Sequence, residues 1–210
     1  MGSTSLQKDR GGLCFFGQIS AAISHDLKNV LAIINEDAGL LQDYSLMAAQ
    51  GMELDPERMA KLAAKVQGQV KRGDEIIKNM NRFAHSVDLS ECEVDYRELI
   101  ALVVSLLTRM ASRKCVTVSI QEGEPVKGKG DPFTIQMLIA KVLESAMDSA
   151  EKDGELVIKV STSEEGSVIT VSGLREALDE DRLAELGLIA DNAGADVSGD
   201  PQKKTLNIKF

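Results

Sequence analysis

The stretch Ser24-His25-Asp26-Leu27-Lys28-Asn29 lies inside a long segment whose apolar residues recur every three or four positions. This spacing is that of one buried stripe on an α-helix. The stripe consists of Ile19, Ile23, Leu27, Val30, Ile34 and Leu41. Because a helix turns by about 100° per residue, His25 lies roughly 200° from both Ile23 and Leu27, and its imidazole is predicted to face solvent. We therefore expect this histidine to be available for chemistry.

Two neighbours of His25 strengthen this expectation. Asp26 follows it directly, and Asn29 lies one helical turn further on, near the same face. The pattern thus predicts a nucleophile, a carboxylate and an amide close together. A lone helical histidine is otherwise most often a solvated surface residue, since polar side chains are usually exposed. The three residues together favour a reactive site over a merely solvated one.

The run His25-Asp26-Leu27-Lys28-Asn29, followed by the apolar residues 30–34, resembles the H-box of two-component sensor histidine kinases. In that family the histidine carries a phosphoryl group, and the H-box helix pairs with a second helix and dimerises into a four-helix bundle. The resemblance implies that His25 is the phosphoacceptor and that response-regulator receiver domains are its partners. Lys28, on a neighbouring face, is predicted either to attract an acidic receiver site or to be an ordinary solvated lysine.

Composition excludes several classes of function. The chain has 210 residues, of which 43% are hydrophobic and 27% charged, as expected for one or two globular domains. A net charge of -9 argues against a nucleic-acid partner, because phosphate contacts need a basic surface. No apolar run approaches the roughly 18 to 20 residues of a membrane span, so we expect no membrane partner and a cytoplasmic protein. The three cysteines lie far apart and predict neither a disulfide nor a zinc site.

The first half of the chain predicts two long helices. Residues 1–12 are polar and contain glycine, and we expect them to be disordered. Leu13 to Gln50 contains no proline and keeps its apolar stripe, which predicts the first helix. Asp55 and Pro56 are an N-cap and a first-turn proline, and they predict that a second helix starts there and runs to about Ala84. Residues 13–88 are thus predicted to be a helical hairpin domain.

Dimerisation follows from the size of the two apolar stripes. Two long helices with a short connection form an antiparallel hairpin, and one hairpin is too small to bury both stripes. A homodimer that forms a four-helix bundle is the predicted solution. His85, near the end of the second helix, has no adjacent acid and is predicted to be a capping or surface residue.

The second half of the chain alternates between helical and strand patterns. The polar segment 86–94 is predicted to be a linker. Helices are predicted at 96–113, 131–150 and 177–192, and strands at 115–120, 155–161, 167–172, 195–198 and 204–210, with a further short strand possible within 122–130. This order predicts an α/β sandwich in residues 95–210, with one helical layer on a mixed sheet. The predicted fold class is therefore α+β: a dimeric helical hairpin followed by an α/β sandwich.

The order of elements in residues 95–210 resembles the ATP-binding domain of histidine kinases, and residues 186–208 resemble its last glycine box and closing strands. The nucleotide ligands of that family are missing. Lys141 and Ser145 stand where the family has asparagines that hold Mg²⁺ and phosphate, and Val171 and Arg175 replace an aspartate and a glycine. Residues 173–187 are too few for the usual loop that closes over ATP. We therefore predict no cofactor, with ATP and Mg²⁺ binding lost.

These observations lead to one favoured function and two alternatives. The favoured protein is a phosphorelay histidine phosphotransferase, in which Nε2 of His25 exchanges a phosphoryl group with receiver domains. Asp26 would orient or deprotonate the imidazole, and Asn29 would position a water for dephosphorylation. The first alternative is an ATP-dependent histidine kinase with a divergent nucleotide site. The second is a dimeric scaffold without catalytic activity that docks a receiver domain.

Overall fold

The computed structural model describes the backbone of residues 2–163 and 166–210, and within these ranges the side chains from residue 10 onward. The chain forms two compact units. The hairpin unit is Phe16–Arg82, and the α/β unit is Phe83–Phe210 together with the N-terminal residues up to Phe15. The bounds differ from the predicted domains 13–88 and 95–210, because both ends of the helical segment pack within the α/β unit.

Two long helices form the hairpin unit. The first, α1, spans Gly2–Ala49, and the second, α2, spans Pro56–His85. The backbone of residues 2–12, predicted to be disordered, is helical, so α1 starts well before Leu13. Helical glycine costs only about 1 kcal/mol relative to alanine, which is too little to end a helix held by packing. Gly12 supplies such packing, because a Cβ on it would lie 3.3 Å from the Phe133 ring. Met1 lies outside the described residues.

One cap defines the start of α2, and two contacts between the helices set the register of the hairpin. The Asp55 carboxylate accepts a hydrogen bond from the backbone N–H of Glu57 at 2.9 Å, which caps α2 at its predicted start. Nζ of Lys65 donates to the Asp37 carboxylate at 2.6 Å. Further down, Gly73 lies so close to Val30 that a Cβ on the glycine would be 3.4 Å from the valine side chain. The helices are therefore antiparallel, with Val30 opposite Gly73.

The α/β unit places a layer of helices on a mixed sheet. Its helices are α3 (Tyr96–Arg113), α4 (Pro132–Asp148) and α5 (Glu180–Asn192), and its strands are β1 (Cys92–Asp95), β2 (Thr117–Ile120), β3 (Lys127–Gly130), β4 (Glu155–Ser163), β5 (Gly166–Ser172), β6 (Asp196–Asp200) and β7 (Thr205–Lys209). The main sheet has the order β2-β4-β5-β7-β6. Strand β2 pairs with β4 in parallel, and the remaining pairs are antiparallel. The predicted α/β sandwich is confirmed.

Strand β1 corrects the last residues of the predicted linker at 86–94, because it begins at Cys92. It pairs antiparallel with β3 in a separate two-stranded sheet. Two cross-strand ion pairs support it, Lys127 with Glu93 at 2.8 Å and Lys129 with Glu91 at 3.8 Å. The sequence pattern predicts a linker because the stabilising partners of this segment lie on β3, more than thirty residues away, where no local pattern reveals them.

Three phenyl rings join α1, α2 and α4 inside the α/β unit. The centroid of Phe15 lies 5.5 Å from that of Phe83 and 5.6 Å from that of Phe133, in geometries that aromatic rings favour. Phe15 and Phe83 are almost fully buried. Among the described residues, no helix is both long and apolar enough to cross a membrane.

Candidate functional site

His25 lies on the outer side of α1, as the helical periodicity predicts. Its side chain is 45% exposed, whereas Ile23 is buried and Leu27 is half-buried. The chain around it is regular helix without proline, and the buried residues Ile23 and Val30 hold it on both sides. The imidazole is thus presented to solvent from a backbone that packing keeps fixed.

The predicted partners of His25 both contact the same ring nitrogen. Nδ1 lies 3.1 Å from the amide nitrogen of Asn29 and 3.8 Å from Oδ1 of Asp26. The Asp26 side chain is only 25% exposed, which strengthens its interaction with the ring. Both contacts leave Nε2 as the ring nitrogen open to an incoming group. Since the Asn29 amide is engaged with the ring, its predicted use in holding a water stays a prediction.

Lys28 does not join this cluster. It lies two residues before the buried Val30, so it points about 160° away from the hairpin contact. The side chain is exposed. Its predicted part in docking a partner stays a prediction.

The close contact between Val30 and Gly73 defines two faces of the hairpin. Antiparallel helices of the same hand rotate so that equal steps from this contact lead to the same face. On each helix, the residues three positions before and four positions after the contact residue lie on one face of the hairpin. We call this face the apolar face. Residues one before the contact, Asn29 on α1 and Arg72 on α2, lie on the opposite face, and His25 points to that side as well.

The apolar face has no covering element within the hairpin unit. Its members on α1 are Leu27, Leu31 and Ile34, and those on α2 are Val70 and Ile77. Leu31 is 63% exposed, Val70 48% and Ile77 43%. Apolar side chains concentrated on one face typically mark an interaction surface.

Asp37 is a buried charged residue of the hairpin that the sequence pattern did not reveal. It is fully buried at a stripe position between Ile34 and Leu41, and Oδ1 accepts the 2.6 Å hydrogen bond from Lys65. This hydrogen bond is the main reason that the pKa of Lys65 is raised. Oδ2 of Asp37 is buried without a hydrogen-bond partner. The sequence signal for this ion pair was an acidic residue at a position of the apolar stripe on the first helix, together with a lysine on the second helix.

The positions that correspond to nucleotide ligands are occupied by other interactions. Nζ of Lys141 donates to the Glu144 carboxylate at 2.6 Å, and the Arg175 guanidinium donates to Glu176 at 2.7 Å, which raises the pKa of Arg175. Val171 is buried in β5, in register with residues of β4 and β7. Ser145 is half-buried on α4. The contacts of Lys141, Val171 and Arg175 are thus made within the α/β unit.

Gly173 follows β5 in a left-handed conformation, with φ of 99°. A Cβ there would lie 2.1 Å from the carbonyl oxygen of Glu155, so the glycine is required by strand packing. The connection from Gly173 to the start of α5 at Glu180 is short, as predicted.

Other chemistry-bearing residues are accounted for. Nδ1 of His85 lies 3.2 Å from Oδ2 of Asp88, so this surface histidine has an acid partner three residues away in place of an adjacent one. All three cysteines are free. Among the side chains of residues 10–163 and 166–210, no group of three or more His, Cys, Asp or Glu is arranged to hold a metal ion.

Comparison with known proteins gives matches among solved structures alone. No family model matches the chain, and no curated protein sequence matches it. It is similar to the Acinetobacter baumannii histidine kinase AdeS, with 12% identity and a TM-score of 0.48 over 89% of this chain and 96% of that one. It is similar to the cytoplasmic segment of histidine kinase QseC, with 14% identity and a TM-score of 0.46 over 65% of this chain and 93% of that one. It is also similar to the ATP binding domain of PrrB from Mycobacterium tuberculosis, with 15% identity and a TM-score of 0.47 over 58% of this chain and 96% of that one.

Proposed function

We propose that this protein is a dimeric phosphohistidine carrier that exchanges a phosphoryl group between His25 and response-regulator receiver domains. One observation carries the proposal. The imidazole of His25 is exposed on a fixed helix, with Nδ1 against Asp26 and Asn29 and with Nε2 open. The H-box resemblance of the same residues gives the type of reaction.

The contacts at Nδ1 fit the chemistry of a nucleophilic Nε2. An imidazole attacks through the nitrogen that carries no proton, so the proton must reside on Nδ1. Rotating the Asn29 amide by 180° places its oxygen where the nitrogen lies, and that oxygen accepts a hydrogen bond from the Nδ1–H group. The Asp26 carboxylate, 3.8 Å away, stabilises the positive charge that develops on the ring.

The transfer step balances without a further reactant. The Nε2 lone pair forms the nitrogen–phosphorus bond while the phosphorus–oxygen bond of the receiver's phosphoaspartate breaks, and that electron pair leaves on the aspartate carboxylate. The proton on Nδ1 stays in place. The receiver and its metal ion supply most of the stabilisation of the transferring phosphoryl group.

A second copy of the chain is the proposed occupant of the apolar face. Leu31, Val70 and Ile77 lie on one side of the hairpin, opposite the side that presents His25. A two-fold axis along the hairpin joins two such faces and completes a four-helix bundle. Dimerisation and phosphotransfer then use different faces.

ATP has no part in the proposed reaction. Lys141 and Arg175 are held by neighbouring glutamates, and Val171 is part of the sheet core. These contacts support the proposal that the positions where the family binds Mg²⁺ and nucleotide do not bind them here. In the proposed reaction the phosphoryl group comes from a phosphorylated protein.

Incubation with a phosphorylated receiver domain of the same pathway tests the proposal. The protein should gain acid-labile, base-stable label, as phosphohistidine does. His25→Ala should abolish the label and keep the fold, since an exposed helical position tolerates alanine. His85→Ala is the matched control, because His85 also contacts an acid and should keep full labelling.

Variants of the two neighbours test their roles. Asp26→Asn should slow transfer by about 10² to 10⁴, the usual range for loss of acid–base or charge assistance. Asn29→Ala should reduce the rate less, because it removes a neutral hydrogen bond alone. Label that persists in His25→Ala, or that never appears with any cognate receiver, would leave the scaffold without catalytic activity as the better interpretation. Label from Mg-ATP without a partner would favour the divergent kinase.

A further inference from the structure

Arg72 is a cation of α2 that faces the same side of the hairpin as the phosphoacceptor. It precedes Gly73 by one residue, just as Asn29 precedes Val30, and Gly73 and Val30 are the residues in contact. The antiparallel arrangement therefore turns both Arg72 and Asn29 to one face. His25 lies one turn before Asn29 on that face.

Arg72 also differs from the cations nearer the connection between the two helices. Lys61 pairs with Glu57 at 3.1 Å, Lys65 with Asp37 at 2.6 Å, and the Arg58 guanidinium lies 5.4 Å from the centre of the Tyr44 ring. Among the described residues, Arg72 forms no ion pair, and its side chain is exposed. Its five N–H donors are therefore free for a partner.

A free guanidinium at this position favours a partner surface that carries carboxylates. A guanidinium binds carboxylates through two parallel hydrogen bonds, which fixes orientation as well as adding affinity. The chain as a whole carries a net charge of -9, so an acidic partner is repelled by most of the molecule. A cation on the face that presents His25, about two helical turns along the hairpin from it, attracts such a partner to that face.

We propose that Arg72 is a docking residue that binds carboxylates on the surface of the phosphodonor protein and holds that protein over His25. The inference rests on the proposed phosphotransfer function and deepens it. Arg72 acts on the encounter and the orientation of the donor protein, and it does not touch the reacting atoms.

The test compares two adjacent arginine and lysine side chains of equal charge. Lys71 precedes Arg72 and is exposed. It points about 160° away from Gly73, and therefore away from the direction in which Arg72 points. Arg72→Ala and Lys71→Ala therefore change net charge equally and differ in position. Initial rates of label transfer from a phosphorylated receiver should be measured for both variants at low salt and at high salt.

Arg72→Ala should lower the second-order rate of transfer about tenfold at low salt, through a higher KM, and the deficit should shrink at high salt. Lys71→Ala should change the rate less than twofold. Arg72→Lys should recover part of the loss, because charge returns but the paired hydrogen bonds do not. Labelling of His25 by phosphoramidate, a small donor without a docking surface, should be equal in all variants.

The outcomes separate the two proposals. Equal losses in Arg72→Ala and Lys71→Ala, or no loss in either, would overturn the docking role while wild-type labelling keeps the proposed function intact. A loss with phosphoramidate as large as that with the receiver would also overturn it, because the residue would then act on His25 itself. A wild-type protein that accepts no label from any receiver would refute the proposed function instead.

Discussion

The hairpin unit and the α/β unit bury their apolar side chains within one chain to different extents. In the α/β unit a helical layer covers the sheet, and residues such as Ile135, Leu138 and Leu206 are completely buried within one chain. In the hairpin unit each helix has a single neighbour, and Leu31, Val70 and Ile77 remain exposed. A sheet with a helical layer closes its own core, whereas two helices need further helices to do so. The comparison indicates that interaction surfaces concentrate in the hairpin.

The largest expected effect is on assembly. Ile77→Asp places a carboxylate in the apolar face, where dimer formation would bury it without a partner at a cost of several kcal/mol. The dimer dissociation constant should rise by about 10³ or more, since each 1.4 kcal/mol is a factor of about ten. Analytical ultracentrifugation at micromolar concentration measures this change.

Leu188→Asp is the control for that experiment. Leu188 is 70% exposed on α5 of the α/β unit, and its replacement should leave the dimer unchanged. If both variants stay dimeric, or if the wild type is a monomer, the apolar face of the hairpin is not the dimer interface and the contrast between the units fails.

The second prediction concerns the buried charge of the hairpin. Lys65→Met should lower the melting temperature by several degrees, because the fully buried Asp37 carboxylate loses its counterion. Asp37→Leu should be neutral or stabilising, because Lys65 is half-exposed and returns to water. Calorimetry of the two single variants and the double variant measures the difference between the effects of Lys65→Met and Asp37→Leu on the melting temperature. Equal destabilisation by both single changes would contradict it.

The third prediction concerns the corresponding constraint in the α/β unit. Gly173→Ala should destabilise the protein by about 2 kcal/mol or more, from the left-handed backbone and the collision with Glu155. Denaturant unfolding measures the loss. Labelling of His25 at a temperature where the variant is folded should be normal, and a specific loss of labelling would show that this glycine serves function after all.

The smallest expected effect is that of nucleotide. Mg-ATP should leave the melting temperature unchanged, whereas a ligand present at 100 times its dissociation constant adds roughly 2.7 kcal/mol to stability. A thermal-shift titration measures this. A clear stabilisation by Mg-ATP would mean that the α/β unit, like the hairpin, has an interaction site of its own, and the contrast between the two units would weaken.

Local signals predicted the elements that local contacts stabilise. The predicted bounds of α3 match the observed helix, because the Asp95 carboxylate caps it by accepting from the backbone N–H groups of Arg97 and Glu98. Asp131 likewise caps α4 and accepts from the backbone N–H of Thr134. The outward placement of His25 followed from helical periodicity alone. Capping and periodicity act over a few residues and are therefore visible in a sequence.

The features that the sequence did not reveal depend on distant partners. Strand β1 exists because β3 pairs with it, and its own four residues carry little strand preference. Asp37 is buried because Lys65 reaches it from the other helix. Arg72 belongs to the candidate docking surface because Gly73 packs against Val30, and that contact sets which residues share a face. Such relations appear once the register of the hairpin is known.

The packing of Phe15 against Phe83 has a topological consequence. The two ring centroids are 5.5 Å apart, and Phe16–Arg82 is the complete segment between them. The hairpin is therefore an insertion in the α/β unit, and its entry and exit points are neighbours in space. Insertions of this kind can be excised, because a few flexible residues span the gap that the excised segment leaves. The same architecture predicts that a hairpin of another length could replace this one while the α/β unit keeps its fold.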